Sequence, residues 1–366
     1  MDKNNSLQRL LIIAAVIVVI AIVAVLCLIG VDRKPDARVG LVLTGAINDS
    51  GWNESHYNGV VSACDELDAT LMVKENIAEG TGDCEKAIHE LAKSGAKMII
   101  LSSYSYPHEV KEVIKSYPDI AFYGISSDYS AENMTSYFGR MYQARYLAGV
   151  IAGMQTKTNS IGYVAAMPNN EVNRGINAFT LGVRSVNPDA TVYVSWTNSW
   201  DDEKTETACT EKLINDKNAD IVTYHQNRHG VAATADKLGV YSIGYNQTAE
   251  GLSDKYLTAA VWDWKSLYYQ IIRECVQGKA NSVKQRWLGL DSGAVGLSDL
   301  SSSIDEGTVK AYEKAKAELL TIDNIFADEI YDNNGTKRCN EGEKISDETL
   351  LTAMDWYVDG VVIYEA

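Results

Sequence analysis

The chain has 366 residues, 46% of them hydrophobic and 22% charged, with a formal net charge of −16. That length and composition suit a globular protein of two or three domains. The acidity excludes a surface for nucleic acid, which needs clustered Lys and Arg, and five thinly spread prolines leave no Pro-rich linker.

Residues 10–30 carry no charge and are almost entirely Leu, Ile, Val and Ala. At about 1.5 Å per residue they reach about 30 Å, the hydrocarbon thickness of a bilayer. A secretory signal has a shorter apolar core and a small-residue cleavage site, so the run favours a retained membrane anchor over a processed signal. A lipid-modified Cys27 fits less well, because the bulky Leu26 precedes it. Lys3 and Arg9 lie before the run and Arg33, Lys34 and Arg38 after it, so charge does not fix its orientation.

From residue 38 onward, apolar runs alternate with amphipathic stretches. Strands are expected at 39–43, 70–73, 98–101 and 120–125, with helices at 55–67, 83–93 and from Pro107 to 115. Residues 137–155 read as one long helix. The rhythm then restarts, with strands at 161–166, 191–196, 220–225, 241–245 and 257–261 and helices at 173–186, 203–216, 231–238 and 265–277. A strand at 294–297 and helices at 306–320 and 347–354 close the chain. Short apolar runs separated by helices mean parallel sheets covered on both faces. The expectation is an α/β protein of two doubly wound lobes around a hinge cleft. Residues 1–36 would be the membrane segment, 37–158 with about 263–290 one lobe, and 159–262 with about 291–366 the other.

In open parallel sheets, ligands lie beyond the carboxyl ends of the strands. Such ends here carry rings and amides: Trp52, Asn53 and Tyr57; Tyr104; Asp128; Trp196 and Trp200; His225 and Gln226; Asn246; and Trp262. Flat rings interleaved with amides can stack on, and hydrogen-bond to, a planar heterocycle. Each residue has a plainer use as well: Asn53 as a helix cap, Asp128 as a turn residue, the indoles as core. No catalytic set is present. A Gly-x-Ser-x-Gly elbow, a phosphate loop and a GxGxxG after the first strand are all missing. The six cysteines form no CxxC pair, and His225 with His229 lacks an acidic partner in register, so neither metal nor cofactor is expected.

Several segments together resemble the basic membrane protein family of substrate-binding proteins. They are residues 39–43 with Asp49-Ser50-Gly51-Trp52-Asn53, residues 138–149 leading to Ile161-Gly162-Tyr163, residues 177–182 with Asn187-Pro188, Ile243-Gly244-Tyr245-Asn246, and 355–361. The resemblance implies a type I periplasmic-binding-protein fold that closes on a purine base or nucleoside and delivers it to an ABC permease. It implies that Asn53 contacts the base, that Tyr57 stacks on it, and that Asp128 and Asn246 lie near the ribose positions, Asn246 standing where the family has an acid. Trp196, Trp200 and Trp262 are similar to a branch that binds free bases. The second reading is a membrane-anchored purine sensor that signals through a partner protein.

Overall fold

The computed structural model describes residues 37–49, 51–127 and 129–364, with Val16 and Val18. Asp128 lies outside the described residues, as does the expected membrane segment apart from those two valines. Among the described residues no helix is long and apolar enough to cross a membrane.

The first sheet contains β1 (Arg38–Val42), β2 (Thr70–Lys74), β3 (Met98–Leu101), β4 (Ala121–Ile125), β5 (Met134–Gly139) and β11 (Gln285–Leu288), in the order β11-β5-β4-β3-β1-β2. Every neighbouring pair in it is parallel. Its interior strands are buried on both faces, which is why they read as unbroken apolar runs. The connecting helices are α1 (Trp52–Leu67), α2 (Asp83–Lys93), α3 (Tyr106–Glu109) and α4 (Lys111–Ser116).

The second sheet contains β6 (Ser160–Ala165), β7 (Thr191–Trp196), β8 (Ile221–His225), β9 (Tyr241–Asn246), β10 (Tyr256–Trp262), β12 (Val295–Leu297) and β15 (Val361–Ile363), in the order β12-β10-β9-β8-β6-β7-β15. Only β12 runs antiparallel to its neighbour. Around this sheet lie α5 (Met141–Gln155), α6 (Asn170–Val186), α7 (Glu203–Lys217), α8 (Gly230–Leu238), α10 (Glu306–Thr321) and α11 (Asp347–Thr352). The helix α9 (Trp264–Val276) returns to pack on α1. A separate antiparallel pair joins β13 (Ile330–Tyr331) and β14 (Lys337–Cys339).

The chain passes between the sheets three times: at Arg140 between β5 and α5, at Asp263 between β10 and α9, and over residues 289–294 between β11 and β12.

The structure differs from the sequence expectation at three points. The single helix expected over 137–155 is β5 followed by α5, because residues 134–139 are enclosed on both faces and bond as a strand to β4 and β11. The helix expected from Pro107 is two short helices broken at Val110. The short strands β11, β13, β14 and β15 were not expected, since each pairs only with distant sequence or within a small hairpin. Helix α5 packs along α6 at very short range. Glycine is required there, because a methyl carbon at Gly149 would overlap the Phe179 carbonyl and one at Gly182 the Tyr146 carbonyl. Cys64, Cys84, Cys209, Cys275 and Cys339 are free thiols.

Candidate functional site

Two contiguous cavities of about 580 and 770 Å³ form a cleft at the carboxyl ends of both sheets. They share Tyr104, Ser126, Phe138, Glu171 and Trp200. From the first sheet come Thr44 after β1, Ser102–Tyr104 after β3, Ser126 after β4 and Phe138 in β5. From the second come Glu171 on α6, Trp200 and Asp201 after β7, Asn227 and Arg228 after β8, and Tyr245 and Asn246 at the end of β9.

The wall from the first sheet is set by Asp49. Its Oδ1 accepts from the backbone N–H of Gly51 at 2.9 Å and of Glu54 at 3.0 Å. Its Oδ2 accepts from Asn53 N–H at 3.2 Å and Asn53 Nδ2 at 2.8 Å. Asp49 therefore satisfies amides of the first turn of α1 that have no intrahelical partner. Burial pushes its carboxyl up, but the bonds from Asn53, Glu54 and Gly51 outweigh it and the pKa falls below the usual value. Asn53 lies inside that turn rather than at the cap, which is Gly51. Its Oδ1 accepts from Thr44 Oγ1 at 3.1 Å. The amide is thus held at both ends, leaving one Nδ2 hydrogen and acceptor capacity on Oδ1 for a ligand. Trp52 is fixed by a bond from Nε1 to the Ser102 carbonyl at 2.9 Å. Behind it, burial lowers the pKa of His56 to about 3 against the opposing charge of Asp49. His56 Nδ1 lies 2.5 Å from the Tyr268 hydroxyl.

The wall from the second sheet is charged. Asn169 caps α6 by accepting from Val172 N–H at 3.0 Å, which aims the first turn, with Glu171, at the cleft. Near Glu171 lie Arg145 and Arg174, both buried, with Arg174 also bordering the larger cavity. The Arg145 guanidinium sits 4.1 Å from the Tyr245 ring centroid and donates to the Tyr224 carbonyl at 2.8 Å. Arg174 donates to the Leu350 carbonyl at 2.6 Å. His225 packs against Tyr245 with centroids 4.1 Å apart and rings tilted at 48°, and is held neutral by burial and then by Arg145 and Arg174. Burial pushes the Glu171 carboxyl up, opposed by Arg174 and Arg145.

Of the residues singled out from sequence, Trp52, Asn53, Tyr104, Trp200 and Asn246 border the cleft. His225 and Gln226 are enclosed in the second sheet's wall, with Gln226 Nε2 donating to Thr197 Oγ1 at 2.8 Å. Trp262 is buried under Phe138, their centroids 5.0 Å apart, and stacks on Trp264. Tyr57 is half-buried against the core, and Trp196 lies toward Tyr357; neither borders the two cavities. Among the described residues no group of His, Cys, Asp and Glu is placed to hold a metal.

Glu171, Phe138 and Tyr245 were not singled out from sequence. Glu171 carried a usable signal: it follows β6 and sits in a helix first turn behind an Asn cap, as the other strand-end residues do. Phe138 was hidden by reading 137–155 as helix.

The profile of a family described as ABC transporter substrate-binding protein PnrA-like matches residues 37–325. A purine-binding protein of Brucella abortus is 33% identical over 330 residues, 88% of this chain and 92% of its own length. A protein of Haloferax volcanii, provisionally named an ABC transporter glucose-binding protein, is 32% identical over 334 residues, covering 91% and 82%. A crystal structure of a transcriptional activator of the comK gene from Bacillus halodurans superposes with a TM-score of 0.71 at 21% identity, covering 78% of this chain and 98% of that one. An ABC transporter solute-binding protein from Conexibacter woesei gives a TM-score of 0.65 at 18% identity, covering 78% and 96%. The fold is therefore the α/β, parallel-sheet fold of periplasmic-binding proteins, and the chain belongs to the Bmp family of PnrA-like ABC transporter substrate-binding proteins.

Proposed function

We propose that this protein captures a purine base or nucleoside in the cleft and presents it to an ABC permease. The two sheets are the centres of two lobes. The first is built from residues 37–139 and 264–288, the second from 141–262 and 295–364, and the ligand shifts an open–closed equilibrium by the added contacts of the closed form. The carrying observation is that rings of both lobes, Trp52 and Phe138 on one side and Trp200 and Tyr245 on the other, border a single cavity of about 580 Å³ beside the fixed amide of Asn53. That volume lies within the range of small-molecule sites, about 300–1,000 Å³. The apolar run at residues 10–30 supports retention at the membrane, and delivery to a permease puts the lobes on its outer face.

The Brucella and Haloferax relatives are nearly equal in identity and differ in the ligand their names give. Aromatic faces supplied from both sides suit a flat heterocycle better than a sugar, which has no π-face of its own. Isothermal titration of the detergent-solubilised full chain against purines, nucleosides and glucose is the test. Saturable heat with a purine or nucleoside, lost in Asn53→Ala, is expected. Heat with glucose alone would overturn the reading.

A further inference from the structure

Four carboxylates border the 580 Å³ cavity: Asp49, Glu79, Glu171 and Asp201. Three are already engaged by the protein. Asp49 accepts four N–H groups, Glu79 accepts the Ser103 hydroxyl, and Asp201 pairs with Arg228. Glu171 is different. Among the described residues its carboxylate makes no hydrogen bond, and His225 Nε2 stands 3.9 Å away, beyond hydrogen-bond reach. Its side chain is 32% exposed, and that surface faces the cleft, since the residue borders both cavities. Burial raises the pKa of its carboxyl, and the buried guanidiniums of Arg174 and Arg145 act against that rise.

A carboxylate with no donors, in a cleft that loses water on closure, is costly unless the ligand supplies the donors. An N–H of the ligand does so. A ligand carbonyl at the same place brings a second negative oxygen and is repelled. Purines differ in this respect at their ring carbons, where an amino group replaces an oxo group. Resting on the purine reading above, we infer that Glu171 receives the exocyclic amino group of an aminopurine and so sets the choice between amino- and oxopurines. Stacking on the rings cannot make that choice, because both kinds of base present equivalent faces.

The test is titration of the full chain, wild type and Glu171→Gln, with adenine, guanine and hypoxanthine. Hypoxanthine carries no exocyclic amine. The wild type binds the better of adenine and guanine about tenfold or more tightly than hypoxanthine, the size of a hydrogen bond to a charged group. In Glu171→Gln the margin collapses, because an amide can turn either its oxygen or its NH₂ to the ligand. Hypoxanthine bound by the wild type as tightly as both aminopurines, or a margin that survives in Glu171→Gln, overturns the inference and leaves the purine reading standing. If no purine binds the wild type, both fall. The wild-type panel decides the matter even if the variant does not fold.

Discussion

Gly139 lies so close to Trp262 that a methyl carbon on it would overlap the indole ring and would come within 3.0 Å of Val295 Cγ1. These residues flank the three segments that pass between the sheets. The Gly139 carbonyl also accepts from Trp287 Nε1 at 2.9 Å, and Trp262 stacks on Trp264 across Asp263, centroids 4.7 Å apart with 13° between planes. The crossings thus bear on one another through a single packed contact. Gly139 has no positive φ, so the need for glycine is steric.

Gly139→Ala should therefore destabilise the protein by about 1–3 kcal/mol, the usual cost of overpacking. Urea denaturation measures it. An unchanged midpoint would mean that the contact is slack.

Gln247, in the loop after β9, donates through Nε2 to the Ser55 hydroxyl on α1. This bond joins the loop after β9 to the first turn of α1, and so the two walls. Gln247→Ala should weaken ligand binding by about 0.5–1.5 kcal/mol, a severalfold rise in Kd, with the thermal midpoint of the unliganded protein little changed. Titration calorimetry paired with a melting curve separates the two effects.

Trp200 borders both cavities, whereas Trp196, four residues earlier, borders neither and lies 6.4 Å from the Tyr357 ring. Trp200→Ala should cost about 1 kcal/mol or more of ligand affinity through the lost ring face. Trp196→Ala should lower stability and leave affinity alone. Equal affinity losses in the two variants would contradict the cleft described above.

Glu206 on α7 is buried, with its carboxyl beside Gly230 at the start of α8. Burial, and then the charge of Asp201, push its pKa from 4.5 up to about 7. The folded state holds this proton more tightly than the unfolded one. The stabilisation is complete below about pH 4.5 and is lost as pH rises through about 7. Glu206→Gln removes this dependence and should be the more stable protein at pH 8, by on the order of 1–2 kcal/mol, with the advantage gone at pH 5. Denaturation midpoints at the two pH values check it.

Much of the fold is legible in the chain because its cues are local. Strands such as β3 and β6 are short apolar runs, and helices such as α2 show the 3.6 period, so the alternation that builds two parallel sheets can be read without any distant contact. The exceptions are instructive. β5 reads as helix because its burial comes from β4 and from β11, which lies far along the chain. β11 itself gives little local signal.

The candidate site is legible only in part. Position after a strand marks Trp52, Asn53, Tyr104, Trp200 and Asn246, and the fold carries all five to the cleft. The same rule marks Trp196 and Tyr57, which it does not. Whether a ring at a strand end faces the ligand depends on which way its side chain leaves the backbone and on what the other sheet sets opposite it.

The sequence by itself determined the alternation of strands and helices and the membership of a binding-protein family, since both follow from residue order. Only the tertiary structure decided that Glu171 stands in the cleft beside Arg145 and Arg174. It alone decided that the three crossings meet at Gly139. These are relations between residues far apart in the chain, fixed by packing and charge that exist only once the two sheets face each other.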